Sequence, residues 1–156
     1  MNCCGLLHQT SSALAVSAVG LQDIAQLSGG PTAQVIEPGT EEVTFDTVGS
    51  SFGTSLTPDQ PNNRIIVNTS GTYLIQHTVR WEAGSLAATQ RESNFSVNGA
   101  TPNNRNIQPY GLGNLMYSNV NIRTLAAADL VTLRVTHNDP GNINILSRVL
   151  TVIRIR

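Results

Sequence analysis

From Ala33 onward apolar residues fall at every second position, in short runs separated by turn residues. In residues 72–82, Tyr73, Ile75, His77, Val79 and Trp81 share one face of an extended chain, and Thr72, Leu74, Gln76, Thr78 and Arg80 share the other. Residues 130–137 alternate likewise, Val131, Leu133 and Val135 against Thr132, Arg134 and Thr136. Successive side chains of a strand point to opposite faces, so each run has one face to bury and one to leave wet. The same reading marks strands at 33–37, 42–47, 51–56, 64–68, 92–98, 105–109, 115–125 and 143–155. Turn signals stand between them, among them Pro38-Gly39, Pro58-Asp59, Ser70-Gly71, Asn98-Gly99 and Asp139-Pro140-Gly141. About ten short antiparallel strands predict an all-β sandwich rather than an α/β fold.

The last run departs from the pattern. Val149, Thr151, Ile153 and Ile155 lie on one face and Leu150 and Val152 on the other, so both faces are apolar. A strand apolar on both faces needs a partner besides its own core. In a one-domain sandwich that partner is another subunit. Leu150 and Val152 are the candidates to face the subunit contact, with Ile153 and Ile155 toward the core; the alternation also permits the reverse. Tyr73 and Ile75 are candidates for the core between the sheets.

At 156 residues the chain fits one domain with a sizeable core. Charged residues make up only 12%, against about 25% in ordinary domains, so neutral polar groups must supply most of the surface. No apolar run approaches the ~20 residues of a membrane-spanning helix. Residues 1–63 carry six acids and no Arg, whereas residues 64–156 carry nine Arg against four acids, and the sequence contains no Lys. Without a basic cluster interleaved with aromatics there is no nucleic-acid footprint.

Residues 1–32 differ from the rest and read as a tether or neck ahead of a domain at 33–156. Leu7, Leu14 and Leu21 recur every seven residues, which predicts a short helix over about residues 11–27, ended by Ser28-Gly29-Gly30-Pro31. That is too short for a coiled coil to be assigned. No Lys or Arg precedes the apolar residues 14–19, so the segment does not read as a secretion signal. Cys3 and Cys4 are the only cysteines. A bridge between neighbours is strained, so they are candidates for crosslinking chains or joining other surface-layer proteins, with two free thiols as the other reading.

No catalytic or metal constellation emerges, and no cofactor is expected. Gly49-Ser50-Ser51-Phe52-Gly53 matches G-x-S-x-G, but that elbow needs a strand followed by a helix. Here Thr54-Ser55-Leu56-Thr57-Pro58 follows, so the match reads as a turn of small residues. His77, between Tyr73 and Trp81 on the apolar face, reads as a hydrogen-bonded core histidine. Asn-rich loops hold Asn62, Asn63, Asn103, Asn104, Arg105 and Asn142. Asn serves turns; it also suits a polar apex that hydrogen-bonds a glycan or receptor.

Glu42-Val43-Thr44-Phe45-Asp46 followed by Gly71-Thr72-Tyr73-Leu74-Ile75 resembles the paired early-strand signature of the tumour necrosis factor (TNF) and complement-head superfamily, with Ile75 at its aromatic position. Ala128-Asp129 is similar to the family's Gly-Asp before its penultimate strand. The resemblance covers about residues 42–155. Low aromatic content (4%) and the ending Leu150-Thr151-Val152-Ile153-Arg154-Ile155 look more like bacterial members. Those are the heads of collagen-like spore-surface glycoproteins and the basal exosporium proteins without collagen. The resemblance implies a jelly roll, a homotrimer around a threefold axis and a non-catalytic presenting role. On it, the chain reads as a structural head of a spore's exosporium or its filaments. A receptor- or glycan-binding head of a phage or viral fibre, or of a bacterial adhesin, is the alternative.

Overall fold

A computed structural model describes residues 23–83, 90–100, 107–108 and 114–155. The strands, in chain order, are β1 (Ile24–Gly29), β2 (Gln34–Ile36), β3 (Gly39–Glu42), β4 (Thr47–Phe52), β5 (Leu56–Asp59), β6 (Arg64–Val67), β7 (Gly71–Trp81), β8 (Arg91–Val97), β9 (Ile107–Gln108), β10 (Leu115–Leu125), β11 (Leu130–His137) and β12 (Ile143–Arg154). One sheet runs β10-β7-β12-β1-β4, with β2 also on β12; the other runs β5-β6-β11-β8-β9, with β3 also on β11. We call them the first and the second sheet. All pairings are antiparallel. From β6 onward the chain crosses between layers at nearly every step: β6 in the second sheet, β7 in the first, β8 and β9 in the second, β10 in the first, β11 in the second, β12 in the first. That alternation is a jelly roll: the sandwich that the period-two pattern predicts, in the form that the resemblance implies.

The inner faces close on one core. β7 contributes Tyr73, Ile75, Val79 and Trp81, β12 contributes Leu150 and Val152, and β1 contributes Ala25 and Leu27. Opposite them lie Ile65 and Val67 of β6, Phe95 of β8, and Val131, Leu133 and Val135 of β11. Fully burying each large aliphatic or aromatic side chain stabilises the fold by about 1.5–3 kcal/mol.

Several expectations change: residues 43–46, expected inside a strand over 42–47, lie outside any strand, Pro58-Asp59, expected as a turn, closes β5, and three further differences bear on the faces of the first sheet. The helix predicted to reach residue 27 gives way at its C-terminal end to β1, which lies between β12 and β4. The sandwich therefore includes residues assigned to the tether. Ala25 and Leu27 point inward while Gln26 and Ser28 do not; this short alternation is outweighed in the sequence by the seven-residue spacing of leucines. The rest of the tether, with Cys3, Cys4 and His8, lies outside the described residues. Second, the segment expected as a turn at Gly49 is the exposed edge strand β4, and the strand expected over 51–56 lies earlier, at Thr47–Phe52. Third, Leu150 and Val152 are in the core, so the favoured face assignment of β12 is reversed. Ile153 is half-buried on the outward face, and Ile155, just past β12, is half-buried with its N–H bonded to Thr72 O at 2.8 Å.

Candidate functional site

Register places the outward side chains of the first sheet in rows, because residues directly opposite in neighbouring strands share a face. One row crosses all five main strands: Phe52 opposite Ile24, Ile24 opposite Ile153, Ile153 opposite Leu74, and Leu74 opposite Ile122. Every member is apolar. Phe52 is 50% exposed and Ile122 61%, and on the same face of β10 Val120 is 52% and Met116 68% exposed. The next row is Gln26, Thr151, Gln76 and Val120. Gln26 Nε2 donates to Thr151 Oγ1 at 3.0 Å, and Thr78 Oγ1 and Ser118 Oγ share a hydrogen bond of 2.7 Å one row further on. The face is thus an apolar strip bordered by short neutral polar groups that satisfy one another. These rows carry no charge, and the row beyond them brings in Arg80, opposite Met116 and Ser147. Large exposed apolar patches with polar rims mark interaction surfaces.

The second sheet is different outside. Arg134 lies opposite Glu42 on one side and Asn94 on the other, and Thr132 lies opposite Arg64 and Ser96. Glu42, Asn62, Arg64, Asn98, Gly99, Leu130, Thr132 and Arg134 line a groove of about 230 Å³.

Of the Asn-loop candidates, Asn62 reaches this groove and Asn63 does not line it. Asn63 takes a left-handed backbone (φ 54) and its Oδ1 accepts the Phe45 N–H at 2.8 Å, so it fixes a turn. Asn142 lines a separate cavity of about 200 Å³ with Glu82, Asp139 and Pro140. Asn103, Asn104 and Arg105 lie outside the described residues. Sequence reasoning missed Glu42, Arg64, Asn98 and Arg134, which come from separate elements; only strand register brings them together.

The remaining polar groups in the interior are structural. His77 Nε2 lies 3.1 Å from both Ser93 O and Ser93 Oγ, and burial pushes the imidazole down to about 4. His137 Nε2 lies 3.2 Å from Ile36 O, and its Nδ1 takes the Asp139 N–H at 3.2 Å; a proton on Nε2 satisfies both bonds. Arg91 pairs with Asp139 at 3.1 Å inside the sandwich and stacks on Trp81, 5.7 Å from its ring centroid. Arg148 donates to Thr44 O, Thr32 O and Asp46, clamping residues 32–46 onto β12. Ser51 stands on the edge strand opposite Ala25, away from any strand-to-helix turn. The last glycine of its motif has another reason to be there: at Gly53 φ is +83°, and a Cβ would fall 1.9 Å from Asp23 Oδ1. Among the described residues no three His, Cys, Asp or Glu side chains gather as metal ligands.

No protein-family model matches the sequence, and no curated protein matches it significantly. Solved structures do match in fold. The zebrafish complement 1qA globular domain superimposes with a TM-score of 0.62 at 13% identity, covering 86% of this chain and 98% of that one. Eiger TNF from S. frugiperda gives 0.62 at 12% identity, covering 85% and 92%. Murine APRIL at pH 5.0 gives 0.61 at 14% identity, covering 85% and 98%. The chain has the TNF- and C1q-like jelly-roll fold.

Proposed function

We propose that the chain is a non-catalytic head that assembles as a homotrimer through the outward face of its first sheet, within the outer layer of a bacterial spore. The observation that carries the assembly is the apolar row Phe52–Ile24–Ile153–Leu74–Ile122, which among the described residues is exposed at its two ends and half-buried between them. Closed threefold symmetry covers three such faces at once, and the likeness to TNF and C1q heads supports that number. The spore setting rests on the sequence resemblance, through the aromatic-poor composition and the apolar ending. In this reading the N-terminal segment joins the head to other surface-layer proteins, with Cys3 and Cys4 as crosslinks. Non-reducing electrophoresis of native particles should then show ladders that collapse with reductant and vanish in a Cys3→Ser, Cys4→Ser variant. Ladders that persist in that variant reject the crosslink. Immunogold labelling of intact spores tests the setting, and a signal confined to phage particles rejects it.

A second reading, a ligand-binding head of a fibre or adhesin, is favoured by the groove on the second sheet. That groove is on the opposite side of the sandwich from the proposed contact, so the homotrimer leaves it open.

A further inference from the structure

We infer that the groove formed by β3, β6, β11 and the turn after β8 binds an acidic sugar, with Arg134 and Arg64 taking its carboxylate and Glu42, Thr132 and Asn62 its hydroxyls. The inference deepens the ligand-binding reading and is independent of the spore setting.

Arg134 is the reason to look here. Its Nε is shut off from water and has no hydrogen-bond partner among the described residues. Its Nη1 makes one long bond, 3.4 Å, to Gly99 O. That nitrogen fixes the guanidinium in place without meeting the groove, so a ligand oxygen is met by the terminal nitrogens. Arg64 is only partly engaged: its Nε donates to Asp59 Oδ2 at 2.7 Å, leaving the terminal nitrogens to act. Two planar forks on one face suit a carboxylate.

Glu42 decides between a bare anion and a sugar. Burial holds its carboxyl above the ordinary value against the smaller opposing pull of Arg134 and then Arg64, so both guanidiniums act on the same carboxylate. The Glu42 carboxylate only accepts hydrogen bonds, so a compact anion such as phosphate gives it few donors, whereas the hydroxyls of a sugar donate to it. A ligand carrying one carboxylate and several hydroxyls gives a partner both to the terminal guanidinium nitrogens and to Glu42. The walls are preformed. Asn98 holds its turn with a left-handed backbone, donating to Asp129 Oδ1 at 2.8 Å and accepting from Leu130 N at 2.9 Å. Its side chain is thereby committed to shape and is not free for ligand. Leu130 gives the groove an apolar wall for a sugar ring. A groove of about 230 Å³ suits one or two rings rather than a long chain.

The test is a solution NMR titration of the full chain with digalacturonic acid, the matching neutral galactose disaccharide, and inorganic phosphate. The expected result is saturable shifts at the Gly99, Thr132 and Arg134 amides with the acidic disaccharide alone. Arg134→Met should weaken binding about tenfold or more, and Arg64→Met should weaken it less, because Arg64 is already paired. Unchanged circular dichroism and unfolding midpoints would show that both variants still fold. If the neutral disaccharide shifts the same amides equally, the ligand-binding reading stands and the acidic-sugar inference falls. Phosphate binding alone overturns the inference in favour of a simple anion site. If no sugar moves these amides, both readings of the groove fail.

Discussion

The outward faces of the two sheets are built from the same strand geometry and end up with opposite chemistry. On the first, Phe52, Ile24, Ile153, Leu74 and Ile122 form an apolar row beside neutral Gln, Thr and Ser. On the second, Glu42, Arg64, Thr132 and Arg134 surround a polar groove. The inner faces do not differ in this way, since both sheets supply large apolar residues to one core. Specialisation is therefore confined to the outside. One face is suited to being covered by copies of itself, and the other to meeting something soluble.

The largest effects should come from the shared core and should be alike on both sides. Tyr73→Ala from the first sheet should cost about 3–5 kcal/mol and Leu133→Ala from the second about 2–5 kcal/mol. Reversible denaturant unfolding measures both. A cost below about 1 kcal/mol for either one would mean that the two inner faces are not equivalent.

A titration sharpens the contrast within the core. Burial takes His77 from 6.5 to about 4 in the folded chain, so the unfolded chain binds the proton more readily between those values. Stability from the neutral His77 is fully present above pH 6.5 and is lost as pH falls toward 4, by about 3 kcal/mol in all. His77→Gln should flatten that part of the stability–pH curve. Parallel curves for the two proteins would remove His77 as the cause.

On the outside the faces should separate. Ile153→Asp puts an unpaired charge in the middle of the apolar row and should dissociate the assembly while leaving the sandwich folded. Val152→Asp does not test the same thing, because Val152 is in the core and its loss unfolds the chain. Thr132→Asp, on the polar face, should change stability by no more than about 0.5 kcal/mol and leave the mass unaltered. Sedimentation and circular dichroism on the three variants separate these outcomes.

The sequence makes β7, β10, β11 and β12 nearly legible to the residue, because each is long and has a face to bury. Tyr73 and Ile75 are readable as core for the same reason. It does less well at the first sheet's far edge. β4 is exposed along most of its length, so no alternation marks it, and β1 is six residues long, so its pattern is brief. The two faces of β12 are both apolar, and nothing local says which is inside; pairing with β7 and β1 decides it. The groove was hidden for a related reason. Charge is segregated along the chain, acids early and arginines late, and the fold undoes that segregation by pairing across it. Asp46 meets Arg148 at 3.2 Å, Asp59 meets Arg64 at 2.7 Å, and Glu42 lies opposite Arg134. Asn62 and the turn at Asn98-Gly99 are within reach of a loop argument, but Glu42, Arg64 and Arg134 beside them are not.

The central claim is that the apolar row is covered by other copies of the chain. Light scattering coupled to size exclusion, on the full chain at micromolar concentration, measures this directly. The account predicts a mass three times the 16.6 kDa of one chain, falling to that of one chain in Ile153→Asp. A single-chain mass for the unmodified protein would contradict it.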